Sequence, residues 1–403
     1  MSSAIVHQPR IRQGGRVLIA IVGGNLQGVE ATYLAHKAGW EVLVIDRKPV
    51  VPAKGFCDHF LQLDVVRQEN LGKAFKGVDL VIPALENEEA LGRLTQWTRS
   101  SGPPFAFDPN AYAISSSKMK SERLFAQTKV PTPLPWPECG FPVVAKPDMG
   151  SGSQGVMVLN DSESFSAQAF GSTGHWVLQE FIKGPSYSIE IIGTSGQYVP
   201  LKVTDLAMDE TYDCKRVLAP TDLPAAIISD FEQISISLAK DLRLTGLMDV
   251  EVILHGNSLK VLEIDARLPS QTPTTVYWST GLNMIRMLGD LFLNKFNQKR
   301  IKPHSPRGVV YEHIHVSPGI IEVAGEHIMS GTDELGIRSD FFGADEAITN
   351  YAPDRNEWVA TLIISADTRN AAWEKRNAVL ADIQQHYKIE TYRDSVPNLI
   401  NYF

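Results

Sequence analysis

The chain has 403 residues, which is too long for one hydrophobic core and predicts two or three domains. Hydrophobic residues make up 43% and charged residues 21% of it, as in soluble globular proteins, and no apolar run is long enough to span a bilayer. The net charge of −8, with both signs interspersed, argues against nucleic acid as the main partner and leaves a small charged substrate compatible.

Neither the N-terminus nor the cysteines indicate secretion. Residues 1–15 contain arginine, proline and glycine but no apolar core, so we expect a flexible leader rather than a signal peptide. Cys57, Cys139 and Cys214 lie far apart without ligand spacing, which indicates neither a disulfide framework nor a zinc site. A reducing, cytoplasmic location is the expectation.

The chain begins with the pattern of a doubly wound parallel sheet. An apolar run at 16–22, a glycine-rich turn at 23–28 and a helical pattern at 29–38 precede a second strand at 41–45 that ends at Asp46. The turn is not the dinucleotide fingerprint, because asparagine stands where its second glycine is needed. The acidic residue after the second strand keeps a nicotinamide-dependent dehydrogenase open, and the glycines are equally compatible with a simple tight turn.

The α/β alternation continues to about residue 112. Strands are expected at 60–63 and 80–83, and Glu86 follows the second of them. Ligands of open parallel sheets bind beyond the carboxyl ends of the strands. The sequence therefore predicts an N-terminal domain at 16–112 with a ligand pocket near Glu86.

A smaller unit is expected at 113–184. Serine caps precede a helix at 118–128, a short strand at 141–147 carries Lys146, and a Gly/Ser loop follows at 148–156. Glycine lets backbone N–H groups surround an anion, and the lysine adds positive charge. The loop is not a P-loop, and a flexible hairpin connector is the alternative interpretation.

The segment 246–267 predicts a β-hairpin with four carboxylates on one face. Side chains alternate along a strand, so Asp249 and Glu251 share a face of one arm, and Glu263 and Asp265 share a face of the other. An odd connection of Gly256-Asn257-Ser258 would set Glu251 opposite Glu263. Because like charges facing each other are destabilising, the cluster predicts a bound cation, and oxygen ligands favour Mg²⁺. A solvated face of an edge hairpin is the alternative.

The remaining part of 185–403 alternates strands with helices. Strands are expected at 308–315 and 358–365, and helices at 230–242, 281–293 and 369–387.

From residue 16 to about 290, the order of the motifs resembles that of the ATP-grasp superfamily. The motifs are the Ser-Lys helix, the Lys-Pro strand, the Gly/Ser loop, Gln-Glu-Phe-Ile, Asp-Val-Glu and Glu-Ile-Asp-Ala-Arg. Segments 23–31, 203–205 and 211–214 further resemble the ligases of pyrrolysine biosynthesis. The resemblance implies an α/β protein with a doubly wound N-terminal domain, a small lid domain and a C-terminal α+β domain. It also implies ATP-dependent joining of the (3R)-3-methyl-D-ornithine carboxylate to the ε-amine of L-lysine through an acyl phosphate.

The resemblance assigns roles to individual residues, each by its position in this sequence. The residues implied in ATP binding are Asn25, Lys118, Lys146, Ser151, Gly152, Ser153, Glu180, Phe181, Ile182 and Lys183. Those implied for L-lysine are Leu26, Gln27, Asp46, Asp64 and Glu86. Those implied for ornithine are Tyr187, Ser188 and Ile189, and those for Mg²⁺ are Glu251, Glu263 and Asp265. Lys146 and Arg267 are the catalytic candidates beside the transferred phosphate.

Three positions depart from the family pattern. Many ATP-grasp enzymes have asparagine where Asp265 stands, the acidic ribose contact after the hinge at 180–183 is replaced by Pro185-Ser186, and Asn25 stands where a lysine is expected. The reaction also needs a proton acceptor for the lysine amine. Asp205 is the candidate, and a salt-bridged aspartate is the alternative.

The partners implied are ATP, Mg²⁺ and two amino acids, with no nucleic acid and no membrane, and a homodimer is a family-level expectation. The rival hypotheses are an ATP-grasp ligase for another amino acid or carboxylate pair, a nicotinamide-dependent dehydrogenase, and a non-catalytic amino-acid-binding relative.

Overall fold

The computed structural model describes residues 16–150, 152–168 and 175–398, so the leader 1–15 and Ser151 lie outside the described residues. The chain has the expected α/β architecture: a parallel sheet, a small antiparallel sheet and a large antiparallel sheet. Among the described residues, no helix is both long and apolar enough to cross a membrane.

The N-terminal part is a doubly wound sheet, as the hydrophobic runs predict. Its four parallel strands have the order β3-β2-β1-β4. The strands are β1 Leu18–Val22, β2 Glu41–Asp46, β3 His59–Gln62 and β4 Leu80–Pro83. The accompanying helices are α1 Leu26–Lys37, α2 Leu71–Ala74 and α3 Glu88–Ser100, with a 3₁₀ turn at Pro52–Phe56. Because β1 and β4 are fully buried, their sequences are continuously apolar rather than alternating.

Two helices and a three-stranded sheet follow. The helices are α4 Pro109–Ser115 and α5 Lys118–Thr128, and the Ser117 side chain caps α5. The lid sheet has the order β6-β5-β7, with β5 Val143–Pro147, β6 Met157–Leu159, β7 Trp176–Glu180 and the helix α6 Ser162–Ala167. The expected boundary after residue 112 falls within α4, whereas the one after residue 184 falls between strands; the division into domains stays a prediction.

The large sheet forms the rest of the chain. Its main path is β12-β11-β8-β9-β10-β13-β17-β16-β15; off this path, β14 pairs with β13 and β18 pairs with β14. The first strands are β8 Ser186–Thr194, β9 Gln197–Met208, β10 Cys214–Ala219, β11 Gly246–His255 and β12 Ser258–Asp265. The later strands are β13 Gly308–Ser317, β14 Ile320–Ala324, β15 Gly336–Phe341, β16 Ala344–Thr349, β17 Trp358–Ala366 and β18 Thr391–Arg393.

Helices cover both faces of this sheet. They are α7 Ala225–Leu242, α8 Thr272–Thr280, α9 Met284–Phe292, α10 His327–Ser330 and α11 Arg369–Tyr387, with a 3₁₀ turn at Gln298–Arg300. One face packs on α7, and the other packs on α8, α9 and the N-terminal sheet. This second face carries the cavity described next.

Candidate active site

A cavity of about 1000 Å³ lies between the N-terminal sheet and the large sheet. Its N-terminal wall contains Asn25 and all five residues that the resemblance implies for L-lysine, namely Leu26, Gln27, Asp46, Asp64 and Glu86. Its opposite wall contains Ser188, Asp249, Glu251, Glu263, Asp265 and Arg267. The structure therefore brings the residues predicted for L-lysine and for Mg²⁺ to one site.

The hairpin of β11 and β12 pairs its acidic residues as expected, but a bulge, and not an odd-numbered turn, sets this register. Glu251 faces Glu263 and Asp249 faces Asp265. The turn is only Gly256-Asn257, because His255 already pairs with Ser258. A bulge shifts the register, so that Leu262 is an extra residue beside Glu263. The expected odd connection is wrong, and the bulge is what brings the four carboxylates to one face.

Two basic side chains, those of Lys118 and Arg267, contact these carboxylates. The Lys118 Nζ lies 3.1 Å from Oε1 of Glu263, and it also donates to the Gly150 carbonyl at 2.7 Å. The Nη2 of Arg267 lies 2.9 Å from a carboxylate oxygen of Asp265 and 2.9 Å from one of Glu86. Arg267 therefore links the metal candidates of the large sheet to the N-terminal wall.

Lys146 lies half-buried at the base of the lid. In the amide orientation that satisfies both groups, its Nζ donates to the Gln179 oxygen at 3.1 Å. Burial lowers the pKa of Lys146, and the negative charges of Glu263 and Glu122 partly offset this effect. The lysine thus lies within electrostatic range of the carboxylate cluster, where a phosphate would gain from its charge.

The carboxylates repel one another. Burial and then the charge of Glu263 raise the pKa of Glu251 to about 8, and burial with the neighbouring Asp265 and Glu251 raises the pKa of Asp249 well above its usual range. Burial also raises the pKa of Asp265, although Arg267 opposes this. A cation would relieve this repulsion.

The donor set fits Mg²⁺. Within the described ranges, no three acidic, imidazole or thiol groups already converge into a metal cage. Mg²⁺ usually takes one or two carboxylates and fills its other positions with water and phosphate oxygens. Glu251 and Glu263, which face each other across the hairpin, provide such a pair.

The structure does not support Asp205 as the proton acceptor. Its neighbours Leu206 and Met208 line the cavity, and alternation along β9 turns Asp205 to the other face of the sheet. There its Oδ2 lies 2.6 Å from Nη1 of Arg369. Asp205 is the salt-bridged aspartate of the alternative interpretation.

Only one of the three ornithine candidates faces the cavity. The side chains of Tyr187 and Ile189 belong to the core between the sheet and α7, whereas Ser188 lines the cavity. Alternation along β8 accounts for this difference. Tyr187 and Ile189 could contact a substrate at this cavity only through their backbone.

Tyr212 in the cavity wall contacts both the flap, which is the part of the Gly/Ser loop at 150–155, and the hinge at 180–183. Gly152 and Ser153 line it, and the Ser153 hydroxyl donates to the Tyr212 carbonyl at 3.0 Å. The ring of Tyr212 lies 6.2 Å from that of Phe181 in the hinge. Of the described wall residues, none belongs to 180–183, so the hinge lies beside the cavity rather than in its wall.

The backbone of the hinge is partly used within the lid. The N–H of Glu180 donates to the Leu134 carbonyl at 2.7 Å, and the N–H of Phe181 donates to the Pro142 carbonyl at 3.2 Å. Two of the four hinge N–H groups, those of Glu180 and Phe181, are therefore bonded within the protein.

Asp46 holds the glycine-rich turn. Its Oδ2 accepts from the Gly24 N–H at 2.9 Å, and its Oδ1 accepts from the Lys48 N–H at 2.8 Å. The carboxylate is therefore engaged by the backbone, which weakens the case for a nicotinamide ribose at this position. Glu86, by contrast, accepts from the Gln27 side chain at 3.0 Å and from Arg267.

Three polar residues near the cavity were not predicted from the sequence. Gln271 and Thr272 line the cavity at the start of α8, and Glu190 is fully buried on β8. Burial raises the pKa of Glu190 to about 7, and the Thr272 hydroxyl partly offsets this. Glutamate at the alternate position of the otherwise apolar run 189–192 is the signal that could have identified it.

Comparisons with known proteins agree with this geometry. The family model of the ATP-grasp domain matches residues 115–271 of this chain. The 3-methyl-D-ornithine–L-lysine ligase of Methanosarcina mazei is 37% identical over 371 residues, which cover 92% of this chain and 96% of that protein.

Solved structures share the fold. An ADP complex of N5-carboxyaminoimidazole ribonucleotide synthetase has a TM-score of 0.68 at 14% identity and covers 92% of this chain and 98% of its own. Biotin carboxylase from Campylobacter jejuni has a TM-score of 0.69 at 15% identity and covers 91% of each chain. At such identities these two show the fold alone. With the extended match to the Methanosarcina enzyme, however, this chain belongs to the family of 3-methyl-D-ornithine–L-lysine ligases within the ATP-grasp enzymes.

Proposed function

We propose that this chain is an ATP-dependent ligase that joins the carboxylate of 3-methyl-D-ornithine to the ε-amine of L-lysine. The observation that carries the proposal is the shared cavity, in which the paired Glu251 and Glu263 face an N-terminal wall containing Gln27 and Glu86. The family to which the chain belongs supports the choice of substrates.

A carboxylate must acquire a leaving group before an amine can displace it. Phosphoryl transfer from ATP supplies that group and depends mainly on positioning and charge neutralisation. Lys118, Lys146 and Arg267 contribute positive charge around the carboxylate cluster. Glu251 and Glu263, with Asp265 beside them, would hold Mg²⁺, which when bound neutralises phosphate charge.

The walls of the cavity would separate the two amino acids. Leu26, Gln27 and Glu86 form the side proposed for L-lysine, whereas Ser188 lies on the side proposed for ornithine. Gly152 and Ser153 of the flap border the same cavity, so closure there would exclude water that otherwise hydrolyses an acyl phosphate.

Product analysis tests the proposal directly. Incubation with ATP, Mg²⁺, L-lysine and D-ornithine, as an analogue of the methylated substrate, is expected to give an amide detected by mass spectrometry, with equimolar phosphate. Amide formation from another amino acid pair, with none from this one, would favour the rival ATP-grasp ligase. Binding of NADH without binding of ATP would favour the dehydrogenase.

Glu263→Gln tests the role of the carboxylate pair. We expect phosphate release to fall by roughly 100-fold or more, because an amide is a weaker ligand than a carboxylate for the Mg²⁺ that would neutralise the transferred phosphate. Ornithine binding, measured by calorimetry, should persist. Lys260→Met is the matched control on the same strand, since Lys260 lies outside the cavity wall and its Nζ donates to the Thr132 carbonyl at 3.2 Å. The control should keep its phosphate release, and full activity of Glu263→Gln would contradict the proposed site.

A further inference from the structure

The two lysines beside the carboxylate cluster are held in different ways. The Lys118 Nζ lies 3.1 Å from Oε1 of Glu263, so a charged group holds it directly. The Lys146 Nζ instead donates to the side-chain oxygen of Gln179 at 3.1 Å, so its partner is an uncharged amide. This difference points to a specific way of positioning Lys146.

The amide of Gln179 connects Lys146 to a carboxylate on α5. Its nitrogen donates to Oε1 of Glu122 at 3.2 Å, while its oxygen accepts from Lys146. Gln179 is 2% exposed, so water has little access to compete for either contact. An amide donates at one end and accepts at the other, and this orientation satisfies all three side chains. We call the chain of Glu122, Gln179 and Lys146 the lysine relay.

Strand pairing and helix spacing bring the lysine relay together. Gln179 of β7 pairs with Val144 of β5, and Lys146 follows Val144 by two positions on the same face of the lid sheet. The helix α5 contacts β7. Glu122 follows Lys118 by four positions on α5, so both side chains lie on one face of that helix. The relay therefore joins the lid sheet to the helix that carries the other lysine.

The helix α5 is fixed to the large sheet rather than to the lid alone. It packs on α7 and on β12, the strand that carries Glu263. Leu124 and Phe125 of α5 belong to the hydrophobic core between the large sheet and α7. The lysine relay therefore sets the position of Lys146 relative to the carboxylates proposed for Mg²⁺.

Charge explains why the relay ends in a carboxylate. Burial lowers the pKa of Lys146, and the negative charges of Glu263 and then Glu122 oppose this effect. Burial raises the pKa of Glu122, and Lys146 opposes that effect in turn. Glu122 and Lys146 therefore stabilise each other's charged form across the amide. Glu263 would share its charge with a bound Mg²⁺, whereas Glu122 would remain to support the ammonium.

We propose that Glu122 and Gln179 position Lys146 for the phosphates of ATP, with Gln179 as an uncharged spacer. The inference rests on the proposed function, in which Lys146 contributes positive charge to phosphoryl transfer. A carboxylate in direct contact would hold the ammonium in a strong ion pair that phosphate would have to break. An amide oxygen takes one of the three N–H donors and leaves the others for the nucleotide. Glu122 and Gln179 are positioning residues, because they act through Lys146.

Nucleotide binding tests the relay without requiring amide formation. The measurement is Kd, by calorimetry, for the non-hydrolysable ATP analogue AMP-PNP with Mg²⁺ and for adenosine, which has no phosphate. Gln179→Met and Glu122→Met should each weaken AMP-PNP binding by roughly tenfold, the usual effect of losing a hydrogen bond to a charged group. Adenosine binding should not change, because Lys146 acts on the phosphates. Glu122→Gln should recover most of the AMP-PNP affinity, since its amide oxygen can still accept from Gln179.

A double variant separates positioning of Lys146 from general packing of the lid. If Glu122 acts through Lys146, the double variant Glu122→Met with Lys146→Met should bind AMP-PNP no more weakly than Lys146→Met alone. Gln127→Met is the matched control, because Gln127 is an exposed residue of the same helix, and it should bind both ligands like the wild type. Losses that multiply in the double variant, or equal losses for adenosine and AMP-PNP, would overturn the inference.

Folding and the proposed function are checked separately. Melting temperatures show whether each variant is folded, and the Glu122 variants decide the question if Gln179→Met does not fold. Unchanged AMP-PNP binding in folded Glu122→Met would also overturn the inference. Wild-type protein that binds AMP-PNP but makes no amide from D-ornithine and L-lysine would instead overturn the proposed function.

Discussion

At the scale of single residues, the face of the sheet to which a side chain points decides which carboxylates belong to the site. Asp205 and Asp249 are both buried, but Asp249 lines the cavity, whereas Asp205 is paired with Arg369 on the other face of the sheet. The pair of Asp205 and Arg369 joins β9 to the start of α11. We therefore assign Asp205 to stability.

Asp205→Asn should destabilise the protein without reducing turnover. Breaking a buried ion pair costs about 3–5 kcal/mol, because the remaining charge stays buried. Chemical denaturation measures the loss, and kcat per folded molecule should be unchanged. Asp222→Asn is the matched control: Asp222 is 3.4 Å from Arg369 but 43% exposed, so its loss should cost under about 1 kcal/mol. A large fall in kcat with normal stability would restore Asp205 as a catalytic candidate.

The raised carboxylate pKa values predict a pH effect on stability. The pKa is about 8 for Glu251 and about 7 for Glu190, against ordinary values near 4.5. The folded state therefore holds protons that the unfolded state has lost, and stability falls as pH rises through the folded pKa values. His313, with its pKa lowered to about 3 by burial, acts in the opposite direction only below pH 6.5.

We accordingly expect the melting temperature of chelator-treated protein to fall by several degrees from about pH 6.5 to about pH 8. Mg²⁺ with ADP should raise it more at the upper end of this range, where the carboxylates are ionised. Glu251→Gln should flatten the profile. A melting temperature that rises across this range would contradict the assignment of these groups.

At the scale of elements, the start of α5 positions the flap. Asp148, at the base of the flap, accepts from the Ser117 hydroxyl at 2.7 Å and from the Met119 N–H at 2.8 Å. Lys118, which lies between these two residues, contacts both Gly150 and Glu263. One anchor therefore positions Lys118, the flap and Glu263 relative to one another.

Asp148→Ala should raise KM for ATP several-fold. The variant loses two hydrogen bonds, worth about 1–3 kcal/mol together, and releases the flap from α5. Steady-state kinetics and limited proteolysis of the flap measure the effect. Asp161→Ala is the matched control, because Asp161 caps α6 in the same lid through Ser164 and lies outside the cavity wall. Equal effects of both variants on KM would refute a specific role for the Asp148 anchor.

At the scale of the whole molecule, the N-terminal sheet and the large sheet share one hydrophobic core. Ile19, Val29 and Tyr33 belong to the same buried cluster as Met284, Leu288 and Tyr311. Gly289 on α9 lies against Trp40, so close that an added Cβ would come within 2.2 Å of the indole ring. Since both walls of the cavity rest on this core, we expect them to unfold together.

Gly289→Ala should destabilise both walls in a single transition. The added methyl group must displace a packed tryptophan, which costs about 1–3 kcal/mol. Denaturation followed by circular dichroism and by ligand binding should give coincident midpoints. Gly92→Ala in α3, where an added Cβ meets no atom within 4 Å, should be neutral or stabilising. Separate transitions for the two walls would show that they are independent.

Local pattern was sufficient to predict the parallel N-terminal sheet and the two arms of the carboxylate hairpin. Buried parallel strands are continuously apolar, and alternation places Asp249 with Glu251 on one arm and Glu263 with Asp265 on the other. The motif order further predicted the ATP-grasp fold. These features depend on neighbours in sequence, which is why they can be read without coordinates.

Tertiary structure alone decided the rest. The bulge at Leu262 sets the register, Arg369 lies 164 positions from Asp205, and Thr272 reaches Glu190 only because α8 packs on the large sheet. Each of these features depends on which residues, distant in sequence, become neighbours in the fold. The partner of a charged side chain determines whether that side chain stabilises the fold or can bind a ligand. The sequence by itself determined which charged and polar groups the protein contains, and the packing of distant elements determined which of those groups face the cavity.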